Sequence, residues 1–134
     1  MEYTLTECLN GEFPVELPEG WKETFYQMCE LLDRTLRAHG ATSDDITFFQ
    51  VKEKFGQMMV YADYSEHIGS DLSSVCEDFI KAAWSKTAKI CCKCGNRADY
   101  DSTGWICPFC ENCAKQIAQE RHISFENNFK KISH

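Results

Sequence analysis

The residues ICCKCGNRADYDSTGWICPFCENCAK, positions 90–115, hold two Cys-x2-Cys pairs and decide how the second half of the chain is read. Cys91 and Cys94 make the first pair, Cys110 and Cys113 the second, and fifteen residues separate them. That spacing is the one expected of four-thiolate zinc ribbons and knuckles, because two residues between ligands let the backbone turn until both sulfurs face one cation. Gly95, directly after the first pair, suits the positive φ such a turn often needs. One structural zinc ion on Cys91, Cys94, Cys110 and Cys113 is therefore expected.

Two further cysteines compete for the second pair. Cys107-Pro108-Phe109-Cys110 is itself Cys-x2-Cys, so Cys107 is the one serious substitute for Cys113. Cys92 with Cys94 has a single residue between its thiols and makes a poor knuckle. The Cys110/Cys113 pair is preferred because residues 114–118 then read as a helix springing from the last ligand. A disulfide framework is disfavoured by the odd count of nine cysteines and by a start, MEYTLTECLNGEF, with neither a basic segment nor an apolar run. A reducing bacterial cytoplasm is the expected location, and no window is apolar enough to span a membrane.

Working outward, the sequence predicts an α+β fold of two parts: an acidic lead-in with a helix–β-hairpin–helix body over residues 1–89, and a zinc ribbon or knuckle module with short C-terminal helices over 90–134. Residues 1–19 hold Pro14, Pro18 and five glutamates, and read as an extended, solvated arm. Trp21, Phe25, Met28, Cys29, Leu32 and Leu36 recur at helical spacing up to Gly40, which predicts an amphipathic helix over 20–39. The run DITFFQVKEKFGQMMVYADYS predicts a hairpin turning through residues 53–56, with Gly56 left-handed. Ile46, Phe48 and Gln50 are expected on one face, Thr47, Phe49 and Val51 on the other.

A second helix is predicted from Ser70, as cap, to Lys89, with Leu72, Val75, Cys76, Phe79, Ile80 and Ala83 along its apolar face. Cys29 and Cys76 fall on apolar helix faces and are expected to be core residues. Ala114–Glu120 and Ser124–Lys131 read as short helices. Phe125, Phe129 and Ile132 form a small stripe expected to dock the zinc module onto the body.

The combination of Val51-Lys52-Glu53-Lys54-Phe55-Gly56, a following apolar strand and helix, Cys91-x2-Cys94-Gly95, Gly104-Trp105 and Cys110-x2-Cys113 resembles a poorly characterised family of small phage and bacterial proteins. The likeness covers about residues 20–118. It implies a phage or mobile-element setting and the same four cysteine ligands, and it departs at Cys92 and Cys107. It implies no activity, since a shared fold does not carry one.

Charge and motifs narrow the function further. Fourteen basic residues face twenty-one acidic ones, for a net charge of −7, and residues 1–20 carry five acids and no base. Binding to duplex nucleic acid needs clustered Lys and Arg to displace counterions, and no such cluster exists here. Four thiolates leave no open coordination position for a catalytic water. None of His39, His67, His122 and His134 opens a His-x-Glu deaminase motif, and no HExxH, Walker A or Gly-x-Ser-x-Gly sequence is present.

The leading expectation is thus a non-catalytic interaction protein that binds a host or defence protein complex. An acidic face could inhibit by mimicking nucleic acid, and a second copy of the chain is an allowed partner. The alternative is a zinc ribbon that binds nucleic acid through Lys52, Lys54, Phe55, Lys93, Arg97 and Trp105. The simpler expectation for Lys52 and Lys54 is a solvated turn, and for Trp105 packing over the metal thiolates.

Overall fold

The computed structural model describes residues 1–133. Its elements run β1 (Tyr3–Thr4), α1 (Leu5–Leu9), α2 (Lys22–Ala38), β2 (Ile46–Lys54), β3 (Gln57–Tyr64), α3 (Ser70–Thr87), β4 (Tyr100–Ser102), β5 (Pro108–Phe109), α4 (Glu111–Arg121), α5 (Phe125–Asn128) and β6 (Phe129–Lys131). This is the expected α+β class, built as two antiparallel three-stranded sheets ordered β1-β2-β3 and β5-β4-β6.

The expected solvated arm is folded. Thr4 accepts a hydrogen bond from the Glu7 N–H at 3.0 Å while the Glu7 carboxylate accepts from the Thr4 N–H at 3.1 Å, which starts α1 with a capping box. Tyr3 pairs with Phe48 at the edge of β2, and Tyr3, Leu5, Cys8 and Leu17 are buried. The glutamates of this segment occupy its outer side. Their density masked an apolar set large enough to order it.

Helix α2 follows a single 3-10 turn over Glu19–Trp21 and buries Phe25, Met28, Cys29, Leu32 and Leu36 on one face. Spacings of three and four residues place those side chains on a single stripe, whose burial against β2 and α3 drives the helix onto the body. Phe25 and Phe48 meet edge-on with ring centroids 6.1 Å apart.

The hairpin turns through Phe55 and Gly56, with φ of 53° and 77°. Two successive positive φ values make a type I′ turn, whose twist matches that of the flanking strands. The expected alternation along β2 holds only to Phe48. The register slips between Phe48 and Gln50, so Phe49 is bulged out, Gln50 is exposed, and Val51 is buried in its place opposite Val60.

Helix α3 starts one residue earlier than expected, with Gly69 as cap and Ser70 already helical, and ends at Thr87, two residues short of Lys89. Leu72, Cys76, Ile80 and Ala83 are buried, but Val75 is 41% exposed because α3 turns only a narrow face to the sheet. Thr87 is fully buried and joins α3 to the hairpin. Its hydroxyl accepts from the Met58 N–H at 2.9 Å and donates to the Trp84 carbonyl at 2.6 Å.

The C-terminal residues also differ from expectation. Only Phe125–Asn128 is helical, and Phe129–Lys131 pairs with β4 as a strand. Phe125 and Phe129 stack at 5.7 Å and pack with Ala114, Ala118, Tyr100 and Phe109. The stripe therefore fills a small core of its own module and does not dock it. Docking comes from backbone, where the Gly20 N–H donates to the Cys92 carbonyl at 2.9 Å, and from the Trp21 indole, which donates to the Ile90 carbonyl at 2.9 Å.

Candidate metal centre and the joint beside it

Two turns bring the four sulfurs together. The first is closed by the Gly95 N–H donating to the Cys91 carbonyl at 3.0 Å and the Cys91 N–H donating to the Asn96 carbonyl at 2.7 Å. Gly95 takes φ 84°, as its place in a knuckle requires. The second turn is the start of α4, where Cys110 is the N-cap and its sulfur accepts from the Cys113 N–H at 3.4 Å.

The Sγ atoms of Cys91, Cys94, Cys110 and Cys113 all lie within 4.8 Å of one another, and those of Cys94 and Cys110 are 3.6 Å apart. Sulfurs at 2.3 Å around a tetrahedral ion would be about 3.8 Å apart, so the four can hold one metal ion with little movement. Cys91 is buried, Cys110 and Cys113 are half-buried, and Cys94 faces solvent. Burial would raise the Cys91 thiol, but N–H groups of Cys110, Cys94 and Lys93 directed at its sulfur bring it down to about 7. Burial and neighbouring sulfurs push Cys94 and Cys113 up. Four thiolates this close repel one another, so full ionisation calls for a cation between them.

Neither Cys92 nor Cys107 belongs to this group. The two sit against each other. The Cys92 thiol is raised by its contact with Cys107 and by burial, and that same contact lowers Cys107. Cys107 in turn approaches the Glu53 carboxylate at 3.8 Å. Cys8 and Cys29 likewise lie side by side in the body core, where the contact and burial push Cys29 up.

Trp105 does not cover the thiolates. Its ring is 74% exposed, and its indole N–H donates to Glu53 at 2.7 Å. Glu53 also accepts from the Gly56 N–H at 3.3 Å, so one carboxylate ties the hairpin tip to the loop before the second cysteine pair. A Cβ on Gly56 would sit 3.3 Å from the Ile106 carbonyl and 3.4 Å from Pro108, which shows how closely the two loops pack. Glu53 was not expected as a joint residue, since its partners are 52 and 54 positions away and no local pattern points to them.

Of the residues considered for nucleic acid, Lys54, Phe55 and Trp105 line one cleft with Gly104 and Ile106, whereas Arg97 lines another with Glu23, Lys86 and Lys89. No described helix is long and apolar enough to cross a membrane. Neither a family model, nor a curated protein, nor a solved structure matches the chain.

Proposed function

We propose that the chain is a non-catalytic, zinc-stabilised protein-interaction module, encoded by a phage or mobile element and acting on a host or defence protein complex in the bacterial cytoplasm. The closed set of four sulfurs within 4.8 Å carries the zinc-stabilised part of this reading. Four soft thiolates in tetrahedral array favour zinc, and they leave no position for a catalytic water. The ion then acts by folding residues 90–133, whose own core is only Ala114, Ala118 and Phe129 with four partly buried neighbours.

A binding role is supported by what this small frame leaves outside: Phe55, Trp105 and Ile106 are exposed together beside the metal module. Contiguous exposed apolar groups mark interaction sites more often than isolated ones do. The acidic surface, in a chain of net charge −7, fits a partner with a basic face, and inhibition by nucleic-acid mimicry is one form such binding could take.

Nucleic-acid binding is the second reading, favoured by the meeting of Lys54 with Phe55 and Trp105. Affinity purification of the tagged, zinc-loaded protein from its host separates the two. One protein complex recovered in stoichiometric amount and resistant to nuclease is expected. Nuclease-sensitive nucleic acid in its place would overturn the protein-binding reading.

A further inference from the structure

The turn at Phe55 is costly. A bulky aromatic residue in the left-handed region, here φ 53°, is uncommon, and a type I′ turn strongly favours Asn, Asp or Gly at that position. Burial does not compensate, because Phe55 is 70% exposed. Strain of this kind gathers at ligand sites, where a side chain is held in place for something outside the fold.

Across from it stands Trp105, exposed but not free. Its indole is fixed by Glu53 at 2.7 Å, its carbonyl accepts from the Ser102 hydroxyl, and Gly104 before it takes φ 77°. Between the two rings lies a cleft of about 310 Å³ lined by Lys54, Phe55, Gly104, Trp105 and Ile106. Such a space accepts one large apolar side chain, and both walls are already ordered, which lowers the entropy cost of binding.

The rim is basic. Lys54 lies 5.5 Å above the Phe55 ring, and neither Lys52 nor Lys54 has an ion pair among the described residues. Glu53, between them in sequence, is turned inward to Trp105, Cys107 and Gly56. Lys54, a lining residue without an ion pair beside an apolar cleft, complements an apolar anchor with a neighbouring carboxylate. A nucleic-acid strand would need cations in a continuing track, and Arg97 lies with Lys86 and Lys89 in a different cleft.

We propose that the Phe55–Trp105 cleft docks an aromatic or leucine side chain carried on an acidic segment of a partner protein. This rests on the protein-binding reading above and names its apolar contact, with the partner's acidic segment at the Lys54 rim and its basic face against the acidic remainder of the chain. Glu53 is the positioning residue, joining the hairpin wall to the zinc-module wall. Both walls are in place only when the two modules are docked, so metal loading controls the site.

The test is an NMR titration of ¹⁵N-labelled, zinc-loaded protein with three probes: a nine-residue peptide with central Phe flanked by Asp and Glu, the same peptide with Lys flanks, and the oligonucleotide dT12. The acidic peptide should shift the Trp105 indole N–H and the Phe55 and Gly56 amides saturably, with a dissociation constant on the order of 10⁻⁴ to 10⁻³ M. Trp105→Ala should weaken it at least tenfold, and Lys54→Gln a few-fold with a flatter salt dependence. Phe55→Asn suits the turn better than Phe, so lost binding together with a raised melting temperature cannot come from misfolding.

Absence of a saturable shift with the acidic peptide, equal binding of the Lys-flanked peptide, or tighter binding of dT12 would each overturn the proposal. So would shifts of the same residues on concentrating the protein alone, which would assign the cleft to a second copy. Host purification with Phe55→Asn/Trp105→Ala separates this from the broader reading: a complex retained in full sinks the cleft alone, whereas recovery of no protein even by wild type sinks both.

Discussion

The Gly20 N–H donates to the Cys92 carbonyl at 2.9 Å, and a Cβ built on Gly20 would fall 2.1 Å from the Cys91 carbonyl oxygen. The first knuckle thus lies directly on the backbone that opens α2. No side chain fits between them. The indole of the next residue, Trp21, completes the contact through the Ile90 carbonyl.

Gly20→Ala should therefore separate the modules. The clash is with backbone atoms that cannot rotate away, so a loss of about 3 kcal/mol or more is expected, at the upper end of overpacking costs. Thermal melts of zinc-loaded protein check this, and a melting temperature within a degree of wild type would show the contact to be looser than described.

If the four-cysteine group holds the one zinc ion proposed, serine at Cys91, Cys94, Cys110 or Cys113 should abolish its binding, while serine at Cys92 or Cys107 should leave it in place. Metal analysis of the purified variants decides the set. Full zinc in Cys113→Ser with none in Cys107→Ser would transfer the fourth ligand to Cys107. Chelation of wild type should melt the zinc module and spare most body helicity, because the buried residues of the larger core all lie between Tyr3 and Ala83.

Thr87→Val keeps nearly the same shape but removes the acceptor of the buried Met58 N–H. Leaving that donor unpaired should cost about 1–3 kcal/mol. Urea unfolding of the two proteins measures it directly, and a difference below experimental error would mean that Met58 finds another acceptor.

Asp45 supports the loop between α2 and β2. Its carboxylate accepts from the Thr42 N–H at 2.9 Å, and this bond, helped by Ser65 and His67, holds its pKa below the ordinary carboxylate value against the effect of burial. A lowered folded value means that its contribution is present above the unfolded pKa, about 4, and fades as pH falls through the folded one. Asp45→Asn should cost about 1 kcal/mol at neutral pH, and the gap to wild type should close below about pH 4. Melts of both proteins across that range, run side by side so that shared metal loss cancels, test the sign. A gap that widens in acid would contradict it.

The sequence by itself determined the features that depend on local spacing. Two Cys-x2-Cys pairs, each with a turn between ligands, place sulfurs together whatever surrounds them. The Phe25–Leu36 stripe builds α2 by its period alone, and Gly56 marks the hairpin turn. The capping box Thr4-x-x-Glu7 is equally local, but the charge of the glutamates around it says little about whether Tyr3, Leu5 and Cys8 can find a core.

Tertiary structure alone decided the rest. The bulge at Phe49 is a register shift of β2 against β3, just past the residues that pair with β1, and the alternation of a single strand does not encode it. Val75 is exposed because of how α3 leans on the sheet. Phe129 is a strand residue because β4 offers it an edge. Glu53, Trp105 and Cys107 meet across more than fifty residues because the knuckle rests on Gly20 and the hairpin tip on Ile106. Contacts of that separation follow from how whole elements pack, and the residues that make them carry no mark of it in their own neighbourhoods.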